Sequence, residues 1–200
     1  MDKSRFKVLQ GLTKLRQIAC HPALIEEGQK IESGKFEAFM ELLREIVAEK
    51  HKVLVFSQFV RMLKIIAAQL KQEGYLFEML TGQTRDREAC VERFQYDSSI
   101  KIFLISLKAG GRGLNLTAAD YVILYDPWWN PAAERQAIDR AHRIGQDKSV
   151  FVYKMIAHET VEEKILELQK RKNALVSQII TTDAGVFKHL SAEDIRGLFS

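Results

Sequence analysis

The sequence predicts an α/β domain in which a mostly parallel sheet is covered by helices on both faces. Short apolar segments rich in β-branched residues alternate with segments whose apolar residues recur at helical spacing. The chain has 200 residues, of which 46% are hydrophobic and 28% charged, which is enough for one hydrophobic core and typical of a globular protein. Strands that alternate with helices over this length favour parallel pairing with right-handed crossovers.

The predicted elements follow one another in a regular order. An amino-terminal helix runs through Leu12 and Ile18 towards Pro22, and a loop at residues 26–34 separates it from the sheet pattern. Apolar residues recur at helical spacing from Phe36, which predicts a second helix there. Strands are predicted at residues 52–56, 75–80, 101–106, 121–125 and 150–156. Further helices are predicted around residues 63–70, 84–96 and 132–143.

The pattern changes after the last strand. The sequence Thr160-Val161-Glu162-Glu163 is a capping box, in which a Thr and a Glu three residues apart satisfy the first N–H groups of a helix. An amphipathic helix is predicted to follow, with apolar residues at Val161, Ile165, Leu168, Leu175 and Ile179. A second box at residues 191–194 predicts a short terminal helix that ends near Leu198. We interpret both ends of the chain as appendages of the sheet domain.

Composition excludes several classes of protein. Charged residues or glycines interrupt every apolar run before it reaches the roughly 20 residues that a membrane helix needs. The amino terminus lacks the apolar core of a signal peptide, and two cysteines are too few for a disulfide scaffold. We therefore expect an intracellular protein without a membrane partner. A formal charge of +4 and a pI of about 9.0 permit a nucleic-acid partner without requiring one.

Residues 106–117 form a glycine-rich segment directly after a predicted strand. Three glycines within four positions let the backbone approach a ligand closely and direct successive N–H groups at an anion. They are Gly110, Gly111 and Gly113. The alternative is a tight turn from strand to helix, which would need only one or two glycines. Lys108 and Asn115 favour the phosphate-binding interpretation.

A second segment, residues 134–146, is rich in arginine. Arg140 and Arg143 are three positions apart, so on a helix both project from one face, where two guanidinium groups could grip the oxygens of a transferring phosphate. The alternative is a solvated basic face paired with Glu134 and Asp139. Spacing alone favours this second interpretation.

Taken with three other motifs, these two segments resemble a known family. The other motifs are Val53-Leu54-Val55-Phe56-Ser57-Gln58-Phe59, Leu80-Thr81-Gly82 and Tyr125-Asp126-Pro127-Trp128-Trp129-Asn130-Pro131. All five occur in the order and rough spacing of the carboxy-terminal motor lobe of Swi/Snf-type DNA-dependent ATPases of helicase superfamily two. The Arg-Ile-Gly-Gln sequence at residues 143–146 is more diagnostic than any glycine pattern. Residues 15–22 look like the segment that joins the family's two lobes.

The resemblance implies a fold and a function. Residues 35–158 would be the second RecA-like lobe, a three-layer domain, residues 1–34 the helical inter-lobe segment and linker, and residues 159–200 the carboxy-terminal brace helices. The complete motor would bind ATP and Mg²⁺, mainly through an amino-terminal RecA-like lobe of the same parent protein, and translocate on double-stranded DNA without reading its sequence. We expect this chain to be a monomer, and inactive alone because it lacks Walker A and Walker B motifs.

The resemblance also assigns roles to single residues. Arg140 and Arg143 match the arginine fingers. The positions matching nucleotide-binding residues are Gly111, Gly113, Asn115 and Gln136. The positions matching DNA-backbone contacts are Ser57, Gln58, Thr81, Gly82, Ser106, Lys108 and Trp129. Arg112 is a departure, because we expect an uncharged residue there.

Several other features of the sequence imitate functional motifs. Residues 28–35 end in Ser-Gly-Lys but have one residue too many for a Walker A loop, so we expect a linker and a helix start. Asp126 imitates a Walker B carboxylate in a context that matches the DNA-side motif. The cysteines and histidines show no paired ligand spacing, so no metal site is predicted. Trp128 is compatible with a place in the core.

The rival function is a non-catalytic module that binds nucleic acid or protein, for which the spacing of Arg140 and Arg143 would have no use.

Overall fold

Five parallel strands form one sheet in the computed structural model, in the order β2-β3-β1-β4-β5. The structure describes residues 3–26, 32–110, 114–141, 149–173 and 197–198, with the backbone alone at residues 3–6, 108, 110 and 171–173. The strands are β1 (Val53–Ser57), β2 (Phe77–Leu80), β3 (Ile102–Ser106), β4 (Tyr121–Leu124) and β5 (Phe151–Lys154). The helices are α1 (Lys3–Cys20), α2 (Gly34–Ala48), α3 (Val60–Gln72), α4 (Arg87–Tyr96), α5 (Leu107–Gly110), α6 (Pro131–Ile138) and α7 (Val161–Asn173), with a 3₁₀ turn at Pro22–Leu24.

The core lies on both faces of the sheet. Strands β1 and β3 are buried along their whole length, and because successive strand residues point to opposite faces, each strand contributes to two apolar clusters. Leu54 and Phe56 pack on the face covered by α4 and α6, whereas Val53 and Val55 pack on the face covered by α2 and α3. The predicted α/β class, with its parallel sheet between two helical layers, is confirmed.

The element boundaries differ from the predictions in physically simple ways. The helix predicted at residues 132–143 is α6, which ends at Ile138 and continues as a turn to Ala141, while residues 142–148 lie outside the described part of the chain. The last strand is shorter than predicted because only four residues pair with β4. All four are exposed, and β5 is an outermost strand of the sheet. The short helix α5 was not predicted.

Side-chain caps fix the start of several helices. Ser33 caps α2 by accepting a hydrogen bond from the Phe36 N–H (3.4 Å), so the Ser-Gly-Lys sequence is a helix start, as expected. The His21 Nδ1 accepts from the Ala23 N–H (3.1 Å), which requires that ring nitrogen to be unprotonated. Burial lowers the pKa of His21 and so favours the neutral form that makes the cap.

The predicted capping box of α7 does not close as a reciprocal pair, because both of its side-chain bonds are displaced by one residue. The Thr160 hydroxyl accepts from the Glu162 N–H (3.1 Å), and the Glu163 carboxylate accepts from the Glu159 N–H (2.8 Å) rather than from Thr160. The Glu162 carboxylate accepts from the Ala157 N–H (2.8 Å). Two side chains of the first turn thus hold the incoming loop. The remainder of the predicted helix, with Leu175 and Ile179, and the box at residues 191–194 lie outside the described residues.

The helices at the two ends of the chain share the core of the sheet domain. Leu12 of α1, Ile165 of α7 and Leu198 belong to the same apolar cluster as Leu54 and Phe56, and α1 packs against α7. This packing follows from their amphipathic patterns, because each helix has an apolar stripe to bury. No helix among the described residues is long and apolar enough to cross a membrane.

Candidate functional site

The carboxyl ends of the parallel strands meet at one edge of the sheet. Ser57, the last residue of β1, is the register partner of Ser106 at the end of β3. Thr81 and Gly82 directly follow β2, and Trp129 lies in the segment that follows β4. The structure therefore brings to one edge of the sheet residues that were predicted from separate motifs. A parallel sheet requires this arrangement, because all its strands run in the same direction.

The strand order creates a topological switch point between β1 and β4. The chain leaves β1 towards β2 and leaves β4 towards β5, so the two neighbouring strands send their crossovers in opposite directions. In open α/β sheets, ligands bind outside the carboxyl ends of the strands at such a switch point. Ser57 and Gln58 lie on one side of this point and Asp126 on the other.

Asp126 joins the two sides through hydrogen bonds that sequence reasoning missed. Its buried carboxylate accepts from the Ser57 hydroxyl, from the Gln58 N–H (3.3 Å) and from Gln58 Nε2 (2.5 Å). Burial raises the pKa of Asp126, while the Ser57 hydroxyl and the Arg16 guanidinium oppose that rise. The Ser57 side chain is fully buried, and its bond to Asp126 fixes the end of β1 relative to the end of β4. A contact between Ser57 and DNA stays a prediction.

The turn after β2 presents backbone at the same edge. The Thr84 hydroxyl accepts from the Thr81 N–H (2.9 Å), and the Thr81 hydroxyl accepts from the Gln83 N–H (3.2 Å). These bonds close a tight turn in which Thr81 is buried and Gly82 is exposed. An extra Cβ at Gly82 would meet no atom within 4 Å. The open space leaves the Gly82 backbone accessible to a ligand.

Trp128 and Trp129 both pack inside the domain, at 9% and 6% exposure. The core position considered for Trp128 is confirmed. The guanidinium of Arg16, on α1, lies 5.0 Å from the Trp129 ring centroid and donates to the Pro127 carbonyl (3.0 Å). Cation–π contact and hydrogen bond together hold the segment after β4 against α1. No local signal in the sequence indicated this role of Arg16, which is itself 4% exposed.

A buried ion pair joins α2 to the first turn of α7, next to the end of β4. Lys35 Nζ of α2 lies 2.5 and 2.6 Å from the two carboxylate oxygens of Glu162 on α7, and the two side chains are only 6% and 1% exposed. Burial raises the pKa of Glu162, and the Lys35 ammonium opposes that rise. Lys35 Nζ also lies 5.1 Å from the ring centroid of Tyr125, whose hydroxyl donates to the Cys20 carbonyl (3.1 Å).

Arg140 lies in the turn that follows α6. Its carbonyl accepts from the Leu116 N–H (3.1 Å), so the predicted finger and the end of the glycine-rich segment are joined directly. Arg140 is 5% exposed and Glu134 2%, so the two do not form the solvated basic face considered as an alternative. Asn115 and Gln136 are exposed.

Several predicted residues lie outside what the structure describes. They are Gly111, Arg112, Gly113, Arg143 and the side chain of Lys108. Their assignments stay predictions. Within the described ranges, no group of three or more His, Cys, Asp or Glu side chains could hold a metal ion.

Similarity to known proteins covers nearly the whole chain. Residues 34–145 match the family model described as helicase conserved C-terminal domain. The Sulfolobus solfataricus SWI2/SNF2 ATPase core in complex with dsDNA is 37% identical with a TM-score of 0.81, over 99% of this chain and 43% of that chain. The C-terminal domain of the Sulfolobus solfataricus SWI2/SNF2 ATPase is 35% identical with a TM-score of 0.79, over 99% of this chain and 83% of that chain.

Helicase SWR1 of Eremothecium gossypii is 38% identical over 202 residues, covering 98% of this chain. The chain spans only 13% of that relative, and 19% of an ATP-dependent helicase of Mycoplasma pneumoniae to which it is also similar. It therefore corresponds to one part of much longer proteins.

Proposed function

Because the chain belongs to the helicase conserved C-terminal domain family, as the second lobe of a Swi/Snf-type superfamily-two ATPase, we propose that it supplies the arginine fingers and half of the DNA track of an ATP-dependent translocase on double-stranded DNA. One arrangement carries the proposal. Helix α6 begins just after Trp129, whose contact with DNA stays a prediction, and leads to Arg140, whose carbonyl is bonded to Leu116 of the glycine-rich segment. A single short helix thus connects the two predicted sites.

The DNA half of the proposal rests on the carboxyl edge of the sheet. Exposed backbone at Gly82 and the cationic residue Lys108 are suited to phosphate oxygens, which carry no sequence information. The buried groups beneath them, Ser57 and Asp126, keep the ends of β1 and β4 in fixed relation. Binding would therefore be independent of sequence. A DNA partner of this kind agrees with the expected intracellular location.

The nucleotide half requires a second lobe. ATP and Mg²⁺ would be held mainly by the amino-terminal lobe of the parent protein, and the metal-binding carboxylates would come from there. This chain would contribute guanidinium groups from Arg140 and Arg143 and backbone N–H groups from the glycine-rich segment. Guanidinium groups placed beside the transferred phosphate stabilise the charge that develops as its bond breaks.

DNA binding by this chain alone tests the track. We expect it to bind duplex DNA with a Kd in the roughly 10⁻⁴ to 10⁻⁶ M range of non-specific contacts, weakening as salt rises. Lys108→Ala should weaken binding several-fold, since it removes a phosphate contact at the carboxyl edge. Fluorescence anisotropy with two duplexes of unrelated sequence, at several salt concentrations, measures the Kd, its salt dependence and its independence of sequence.

Lys101→Ala is the matched control. It removes the same charge from the position before β3, at the opposite edge of the sheet, where Lys101 Nζ donates to the Lys50 carbonyl. Its affinity should stay within twofold of the unmodified chain. Equal weakening by both variants, or a strong preference for one duplex, would contradict the proposed track.

A further inference from the structure

Glu134 is a buried carboxylate that contacts three separate parts of the fold. It lies in the first turn of α6 and is 2% exposed. One of its oxygens accepts from the Trp128 N–H (2.8 Å) and from Gln169 Nε2 of α7 (3.1 Å), and the other lies 2.5 Å from Lys154 Nζ of β5. A carboxylate has about four acceptor positions, so these three donors use most of its capacity.

Gln169 of α7 contacts both Glu134 and the backbone of Trp128. Its side chain is 5% exposed, and its Nε2 donates to the Trp128 carbonyl as well as to Glu134. Both the N–H and the C=O of Trp128 are therefore held by side chains, one from α6 and one from α7. The segment after β4 cannot move relative to α6 and α7 without breaking bonds that are shielded from water, where unpaired polar groups are costly.

Helix α6 extends this connection to the predicted catalytic residue. Arg140 follows Glu134 by six residues along α6 and its terminal turn, and its carbonyl is bonded to Leu116. A displacement of α7 would thus be passed through Gln169 and Glu134 to both Trp128 and Arg140. The ammonium of Lys154, which is 37% exposed, compensates the negative charge of the Glu134 carboxylate.

We propose that Glu134 and Gln169 are positioning residues through which helix α7 sets the geometry of the DNA-side segment and of Arg140 together. The inference rests on the proposed function, because it assigns α7 a part in coupling DNA binding to ATP turnover. Neither residue touches nucleotide or DNA in this account. Their effect is exerted through the backbone of Trp128 and through α6.

The variant Gln169→Leu in the two-lobed parent protein tests the inference. Leu is one atom shorter and cannot donate a hydrogen bond, so DNA-stimulated ATP turnover should fall about tenfold, within the range of a modest coupling energy. Basal turnover should fall much less, because we expect the lobes to close over the nucleotide mainly when DNA is bound. The Kd for DNA should change less than twofold, since neither residue contacts DNA. ATPase assays with and without duplex DNA give the two turnover rates, fluorescence anisotropy gives the Kd for DNA, and thermal melting gives the melting temperature.

Glu162→Gln is the matched control on the same helix. It weakens the ion pair between the first turn of α7 and Lys35 but keeps the bonds among Gln169, Glu134 and Trp128. It should therefore lower the melting temperature at least as much as Gln169→Leu, while DNA stimulation stays within twofold of the parent. The inference is overturned if Gln169→Leu keeps full stimulation, or if both variants lose stimulation in proportion to their melting temperatures. A parent protein that DNA does not stimulate at all would instead remove the proposed function on which the inference rests.

Discussion

Alanine at Arg140 or at Arg143 in the two-lobed parent protein is expected to lower ATP turnover by about 10³-fold or more, the contribution that arginine fingers make elsewhere. Negative charge shifts between the γ-phosphate and the bridging oxygen as the bond breaks. A guanidinium supplied from the second lobe therefore stabilises the transition state more than the ground state. Lysine at either position should restore little, because a point charge cannot reproduce the planar fork.

Steady-state ATPase assays at saturating DNA, well below each variant's melting temperature, measure this loss. Arg135→Ala is the charge-matched control, since Arg135 is an exposed residue of α6, five positions before Arg140. Its turnover should stay within twofold of the parent. DNA affinity should be nearly unchanged in all variants. Turnover within a few-fold of the parent in both finger variants would contradict the assignment.

Lys35→Met is expected to lower the free energy of unfolding of this chain by about 3–5 kcal/mol, the cost of removing one partner from a buried ion pair. The substitution leaves the Glu162 carboxylate, 1% exposed, without its countercharge. The double variant Lys35→Met/Glu162→Gln should recover most of the loss, because it removes both charges and keeps an acceptor for the Ala157 N–H.

Urea denaturation followed by circular dichroism measures these differences. Arg44→Met supplies the surface control, because it breaks the Arg44–Glu73 pair, in which Arg44 is 47% exposed, and exposed pairs contribute only about 0–1 kcal/mol. If Lys35→Met costs no more than Arg44→Met, the buried pair does not hold α7 to the domain.

The sequence predicted those features of the fold that depend on local patterns. Apolar runs and helical spacing identified the five strands of the sheet and the described helices between them, except α5. In β1 and β3, burial on both faces leaves a continuous apolar run. The bonds that join distant segments have no such local signal. Arg16 and Pro127 are 111 positions apart, and Lys35 and Glu162 are 127 apart, so neither pairing could be read from spacing.

The candidate site was predictable in a different way. Once the parallel sheet was predicted, the meeting of Ser57, Thr81 and Ser106 at one edge followed from strand direction alone. Their roles towards DNA, and the role of Arg140 towards nucleotide, came from resemblance and stay predictions. The sequence indicated a place for Glu134 only in the alternative of a solvated basic face, because nothing in its neighbourhood showed that Gln169 and Lys154 would enclose it.

The measurement that tests the central claim most directly is ATP hydrolysis by this chain, by the amino-terminal lobe of its parent, and by the two joined in one polypeptide, each with and without duplex DNA. We predict that neither lobe alone hydrolyses ATP at a rate that DNA stimulates, and that the joined protein does. DNA-stimulated hydrolysis by the amino-terminal lobe alone, or its absence from the joined protein, would contradict the claim that this chain is the catalytic second half of a DNA-dependent ATPase.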